Sequence, residues 1–216
     1  MNANITLMLR GFGSVPLSTA AVDTLLVDYN SPKDKVSYMV EQGELIRIKR
    51  GLYCVSPTIT GQRLSTEIVA NHLYGPSYIS LETALSFYNL IPERITSTQS
   101  VVTKRTKTFQ TPLGRFTYSS IPDNYYSIGI RQKSSESGST FLIASPEKAL
   151  CDLILLRPNL RIVSKKAMFV FLTKYMRIDL QELKSPDLAV IDECIATQHK
   201  STQLRCLRKV IEHECF

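Results

Sequence analysis

Lysine, arginine, serine and tyrosine crowd into one short stretch of the chain, and these are side chains that hold phosphates and touch the edges of bases. Lys33, Lys35, Ser37 and Tyr38 are followed shortly by Arg47, Lys49 and Arg50. Contacts from Lys33, Arg47, Lys49 and Arg50 to phosphates would position a duplex. Lys35, Ser37 and Tyr38 would then reach base edges and supply sequence discrimination.

Such chemistry needs a helix and a hairpin held side by side. Val36, Met39 and Val40 recur at helical spacing, which leaves the four early polar residues off the buried face. Ser31 and Pro32 suit an N-cap and first-turn proline, and Gly43 suits a helix end that requires positive φ. Leu45 to Lys49 alternates polar and apolar, Tyr53 to Val55 reads as its return strand, and Gly51 suits the turn between them. Helix, strand, basic turn and return strand is the layout that closes a winged helix-turn-helix. The plain alternative is a solvated edge protected by its own charge. The G-x-L-x-R-x-x-R-G-x-Y run from Gly43 to Tyr53, taken with the preceding helix, favours DNA.

The 216 residues suffice for two small domains, and 44% hydrophobic with 21% charged content is that of a folded globular chain. The net charge of +7 suits a polyanionic partner without demanding one. Up to Thr60, six basic residues face five acids, so any positive footprint there depends on placement. Five scattered cysteines without a C-x-x-C pair, and no leading signal segment, point to a reducing cytoplasm. His213 and Cys215 do not make a zinc site, and neither metal nor cofactor is expected. No apolar run has the length of a membrane-spanning helix.

Along the chain, Ile5 to Leu9 and Leu17 to Leu25 predict two helices ahead of the Ser31 helix, with Ser18 or Thr19 as a cap. Pro57 to Gly61 reads as the boundary between a winged helix-turn-helix over 1–60 and an α+β domain over 61–216. Beyond it, helices are expected over Leu64 to Leu73 and after Ser80. Strands follow at Thr98 to Thr103, Thr108 to Gln110, Arg115 to Ser119, Tyr125 to Arg131 and Thr140 to Ala144, forming an antiparallel sheet. The polar loop QKSSESGS is expected to be mobile and dispensable. Ser145-Pro146-Glu147 caps a helix in which Asp152 sits among leucines as a buried partner for a basic residue. A helical tail follows, over Ser164 to Met176, Pro186 to Thr197 and Thr202 to His213, with a shorter candidate at Asp179 to Leu183. Lys104, Arg105 and Lys107 form the densest positive patch, with Arg94 and Arg115 as neighbours. They are candidate auxiliary phosphate contacts or a charge-protected edge.

Three segments, GELIRIKRGLYCV at Gly43 to Val55, YISLETALSFYNLIP at Tyr78 to Pro92 and FLIASPEKALCDLI at Phe141 to Ile154, resemble the AbiEi-type antitoxins of bacterial type IV toxin–antitoxin and phage-defence systems. That resemblance implies a winged helix that represses its own operon by binding inverted repeats in double-stranded DNA, and a larger domain with antitoxin activity. It also implies a nucleotidyltransferase-type toxin as functional partner, without a stable complex. By position, Lys33, Lys35, Ser37 and Tyr38 fall in the recognition helix and Arg47, Lys49 and Arg50 in the wing. The tail beyond Leu156 carries no transferable motif. No Walker-type loop, H-E-x-x-H or G-x-S-x-G supports an enzyme. The rival reading is a protein-interaction module that uses the winged fold without DNA.

Overall fold

The computed structural model describes residues 3–93 and 95–215. Among these, three helices precede the hairpin: α1 (Ala3–Gly11), α2 (Thr19–Leu25) and α3 (Pro32–Glu41), with a short strand β1 (Leu17–Ser18) between the first two. Ser18 caps α2 by accepting the Ala21 amide at 3.2 Å. Ser31 leads into α3 but does not cap it through its side chain. Its hydroxyl donates to Asp34 Oδ2 at 2.6 Å instead. Gly43 closes the helix at φ +68°, in the left-handed region that glycine enters without Cβ strain.

The hairpin follows as β2 (Leu45–Lys49) and β3 (Leu52–Val55), and β1 completes an antiparallel sheet in the order β1-β3-β2. Arg47 faces Tyr53 and Lys49 faces Leu52, so Ile48 is the extra residue of a bulge. Leu45, Tyr53 and Val55 join Ile5, Leu9, Val22, Val36 and Met39 in a small core. Ile48, Leu52 and Cys54 turn the other way, into a second and much larger core. The hairpin is therefore a layer between two cores rather than a projecting flap, as all four residues of β3 are buried.

Pro57 to Gly61 is not a structureless boundary. It forms a helical turn, α4 (Pro57–Thr60), capped by Ser56, with Ile59 in the small core. The rest of the chain comprises α5 (Thr66–Leu73), β4 (Ser77–Ile79), α6 (Leu81–Phe87), β5 (Ser97–Val102), β6 (Lys107–Thr111), β7 (Gly114–Ser120), α7 (Asp123–Tyr126), β8 (Ile130–Ser134) and β9 (Thr140–Ala144), then α8 (Pro146–Leu156), α9 (Lys165–Val170), α10 (Leu188–Ala196) and α11 (Ser201–Glu214). A π-helical turn, Phe171–Tyr175, extends α9, and Leu180–Glu182 is a 3-10 turn. None of the helices described is long and apolar enough to cross a membrane.

The chain is α+β, but its six-stranded sheet, ordered β6-β7-β5-β4-β9-β8, is mixed and not antiparallel. β4 runs parallel to β9, and β5 parallel to β7. Local turns report only the hairpins: β6–β7 is as read, while β8 begins at Ile130 rather than Tyr125 and runs through Gln132, Lys133 and Ser134, which the sequence assigns to the loop. The parallel neighbours are brought together by long connections that leave no local signature. Strand β4 also escaped notice because all three of its residues are buried, which removes the alternation of a half-exposed strand. Tyr125, placed in a strand by its sequence neighbours, lies instead in α7.

Two further expectations change on packing. Ser80 does not cap α6; its hydroxyl donates to Asp152 Oδ2 at 2.6 Å. The polar loop between β8 and β9 reaches the small lobe, where Ser14 shares a 2.7 Å hydrogen bond with Ser137 and donates to Ser139 at 3.3 Å. Arg94 lies outside the described residues.

At the centre of the large core, Ser145 caps α8 by accepting the Lys148 amide at 3.2 Å. One turn apart, Lys148 Nζ lies 3.0 Å from Asp152 Oδ1, and both side chains are 0% exposed. Tyr78 and Ser80 donate to the other carboxylate oxygen, and Lys148 also donates to the Tyr125 carbonyl at 2.8 Å. Burial pushes the Asp152 carboxyl upward, against the pull of the Lys148 ammonium and the two hydroxyls. Removing one partner strands the other charge, so Asp152→Ala should cost about 3–5 kcal/mol in urea unfolding, whereas the double change Lys148→Met, Asp152→Leu should cost less than that single change. Cys54, Cys151, Cys194 and Cys206 are buried, and burial pushes the Cys54 thiol up to about 12. Thiol titration should find only Cys215 reacting promptly in the native chain and all five after denaturation.

Candidate nucleic-acid interface

Val36 and Met39 anchor α3 in the small core, and that fixes which of its residues face outward. Lys33, Ser37 and Tyr38 are exposed, Tyr38 by 49%, while Lys35 is half-buried. The Lys35 ammonium lies 4.7 Å from the ring centroid of Tyr38 and 5.5 Å from that of Tyr29, a cation held by two aromatic faces. Ser37 donates to the Lys33 carbonyl at 3.1 Å, so toward a partner its hydroxyl offers lone pairs rather than a proton. Asp34 also lies on this exposed side, and its carboxylate partly offsets the neighbouring lysines.

On the hairpin, Arg47 and Arg50 are exposed. The Arg47 guanidinium sits 5.8 Å above the Tyr53 ring, and Gly51, at φ +82°, allows the tight turn that carries Arg50. Lys49 departs from the expectation of a free phosphate contact. Its ammonium donates to the Leu73 carbonyl and lies 5.8 Å from the Phe109 ring centroid, docked against the large lobe. The bulge at Ile48 breaks the alternation that would have aligned Lys49 with Arg47. Desolvation lowers the Lys49 pKa, helped by the positive charges of Lys107 and Lys104.

Those two lysines belong to the patch read from the sequence of the second lobe, and the fold brings it beside the hairpin. Lys107 Nζ lies 4.9 Å from the Phe109 centroid and 5.6 Å from that of Tyr74. Lys104 Nζ lies 5.7 Å from Tyr74 and donates to the Gly75 carbonyl at 2.6 Å. Arg105 precedes β6 rather than sharing a strand face with Lys107. It is exposed, and its carbonyl accepts from the Tyr74 hydroxyl at 3.2 Å. Strand β6 is indeed an edge of the large sheet. Arg115 lies on neighbouring β7, opposite Gln110.

Of the aromatic supports under these cations, Tyr53 was part of the motif read from the sequence, whereas Tyr29, Tyr74 and Phe109 were not singled out. Phe109 carried a signal, because two residues along a strand from Lys107 means the same face. Tyr74 carried none, since it meets Phe109, 5.8 Å between centroids, only through tertiary packing. Among the described residues, no three His, Cys, Asp or Glu side chains are placed to hold a metal ion.

No model of a known protein family matches the chain, and no curated protein matches it in sequence. The likeness to the antitoxins thus rests on the three segments themselves.

The buried and exposed faces of α3 should separate cleanly under mutation. Met39→Ala should cost about 2–5 kcal/mol in thermal unfolding, while Ser37→Ala and Lys33→Ala should stay within about 0.5 kcal/mol of the parent.

Proposed function

We propose that this protein is a sequence-specific DNA-binding repressor and the antitoxin of a bacterial type IV toxin–antitoxin pair. The observation that carries the DNA-binding half is the arrangement of α3 beside the β2–β3 hairpin: one face of the helix buried, the other presenting Lys33, Lys35, Ser37 and Tyr38, with Arg47 and Arg50 exposed on the adjoining strand and turn. In this reading residues 1–60 are a winged helix-turn-helix. The exposed face of α3 enters the major groove, which is about 12 Å wide and admits a helix. Lys33, Arg47 and Arg50 hold phosphates, while Lys35, Ser37 and Tyr38 read base edges. Lys104, Arg105 and Lys107 add phosphate contacts beside the wing, and Lys49, docked against the large lobe, belongs with them. Inverted repeats in the operator would seat two copies of the chain.

The antitoxin half rests on the resemblance of the three segments, two of which, Tyr78 to Pro92 and Phe141 to Ile154, form the buried centre of the larger lobe. A nucleotidyltransferase-type toxin is the functional partner, opposed without a stable complex. The rival reading, a protein-interaction module that works without DNA, is favoured by the exposed apolar side chains of Leu7, Met8 and Val27 on the small lobe.

Mobility shifts on the chain's own promoter at several salt concentrations separate the two. The repressor reading expects affinity to fall steeply with salt, and Arg47→Ala with Arg50→Ala to weaken binding to all sequences while flattening the log–log slope by about 0.9 per lost phosphate contact. Lys35→Ala should instead narrow the gap between operator and random duplex. No shift on promoter DNA at low salt would overturn the DNA-binding half.

A further inference from the structure

Three lysines from two parts of the chain meet where the hairpin rests on the large sheet. Lys49 comes from the end of β2, Lys104 from the turn before β6, and Lys107 from the start of β6. Phe109 is shared by Lys49 and Lys107, and Tyr74 by Lys104 and Lys107, at centroid distances of 4.9 to 5.8 Å. Their charges are close enough that Lys107 and Lys104 make it harder for Lys49 to hold its proton. Among the described residues no carboxylate forms an ion pair with any of the three.

Part of this convergence has a structural cause. Lys49 and Lys104 donate to the carbonyls of Leu73 and Gly75, at and just past the C-terminal end of α5, where a helix favours cations. A helix end supplies roughly half a negative charge, and the rings attract cations through their faces but carry no net charge. Three ammonium groups against that half leave about two and a half positive charges uncompensated. Tyr74 and Phe109 stack on buried Tyr118 beneath them, so the floor is not water on every side. Lys104 and Lys107 are exposed, and the repulsion falls on half-buried Lys49, already disfavoured as a cation by desolvation; an anion joining the three would offset that cost.

We propose that Lys49, Lys104 and Lys107 form a binding site for a phosphoryl oxyanion, assembled only when the hairpin is seated on the large sheet, so that its ligand bridges the two lobes. A phosphate monoester, with about two negative charges, or two successive backbone phosphodiesters, with one each, would offset most of that charge and accept hydrogen bonds from the ammonium groups. The site deepens the DNA-binding reading if the phosphoryl group belongs to a duplex backbone, in which case the larger lobe fixes how far the DNA extends past α3. The same chemistry would hold the phosphate of a free phosphorylated ligand.

Thermal unfolding of the full chain, with inorganic pyrophosphate exchanged for chloride at constant ionic strength, tests the site. A saturable rise in Tm of about 3–5 °C is expected when pyrophosphate exceeds half-saturation tenfold. Lys107→Gln should remove most of that rise and, by relieving repulsion, raise Tm in chloride alone. Lys133→Gln, a lysine on the opposite edge strand β8, should leave the rise intact. An equal rise in parent and Lys107→Gln, or none beyond that in chloride, overturns the site. Promoter duplex distinguishes the source. A tenfold or greater loss of duplex affinity in the double variant Lys104→Gln, Lys107→Gln assigns the phosphate to DNA. An unchanged duplex affinity in that variant, with the pyrophosphate rise present in the parent and lost in the variant, assigns it to a free ligand. Pyrophosphate stabilisation without any duplex binding sinks the repressor reading and leaves the site standing. Duplex binding through Arg47 and Arg50 without pyrophosphate stabilisation does the reverse.

Discussion

Strand β3 is buried on both faces, and much else about the molecule follows from that constraint. Leu52 and Cys54 enter the large core while Tyr53 and Val55 enter the small one. A one-residue slip in its pairing would send each set of side chains into the wrong core, so the register is held from both sides. The bulge at Ile48 adapts β2 to this demand: it puts an isoleucine into the large core and releases Lys49 from the strand alternation. The hairpin is therefore stiff. The backbone that carries its cations starts from a fixed position, which reduces the ordering entropy that any partner must overcome.

The same constraint places two chemically different sets of positive charge close together. Lys33, Lys35, Arg47 and Arg50 sit on the helix and outer hairpin, two of them, Lys35 and Arg47, braced on tyrosine faces. Lys49, Lys104 and Lys107 sit on aromatic rings at the junction with the sheet. Aromatic bracing recurs in both sets. It limits the wandering of long basic side chains without neutralising them, as a carboxylate would, and so preserves attraction for a polyanion. With a net charge of only +7 over 216 residues, placement of this kind matters more than total charge.

The large lobe is organised around a different interaction, the buried pair of Lys148 and Asp152. Its hydroxyl donors come from Tyr78 on β4 and Ser80 just after it, so α8 and the centre of the sheet are locked by polar contacts as well as by packing. The stretches Tyr78 to Pro92 and Phe141 to Ile154 meet at this pair. Substitution there is costly on physical grounds, because an unpartnered buried charge is among the most destabilising changes a core can suffer.

The sequence by itself determined the local elements: the end of α3 at Gly43, the hairpin around Gly51, the β6–β7 turn, the cap at Ser145 and the buried partnership of Asp152. Each depends on neighbours within one turn or one hairpin, where backbone preference and side-chain period act directly. Only the tertiary structure decided that the sheet is mixed, that Ser80 serves Asp152 instead of its own helix, and that Lys49 docks on the large sheet beside Lys104 and Lys107. Those outcomes depend on groups far apart in the chain whose approach is chosen by the total burial of both cores, and no local pattern records that choice.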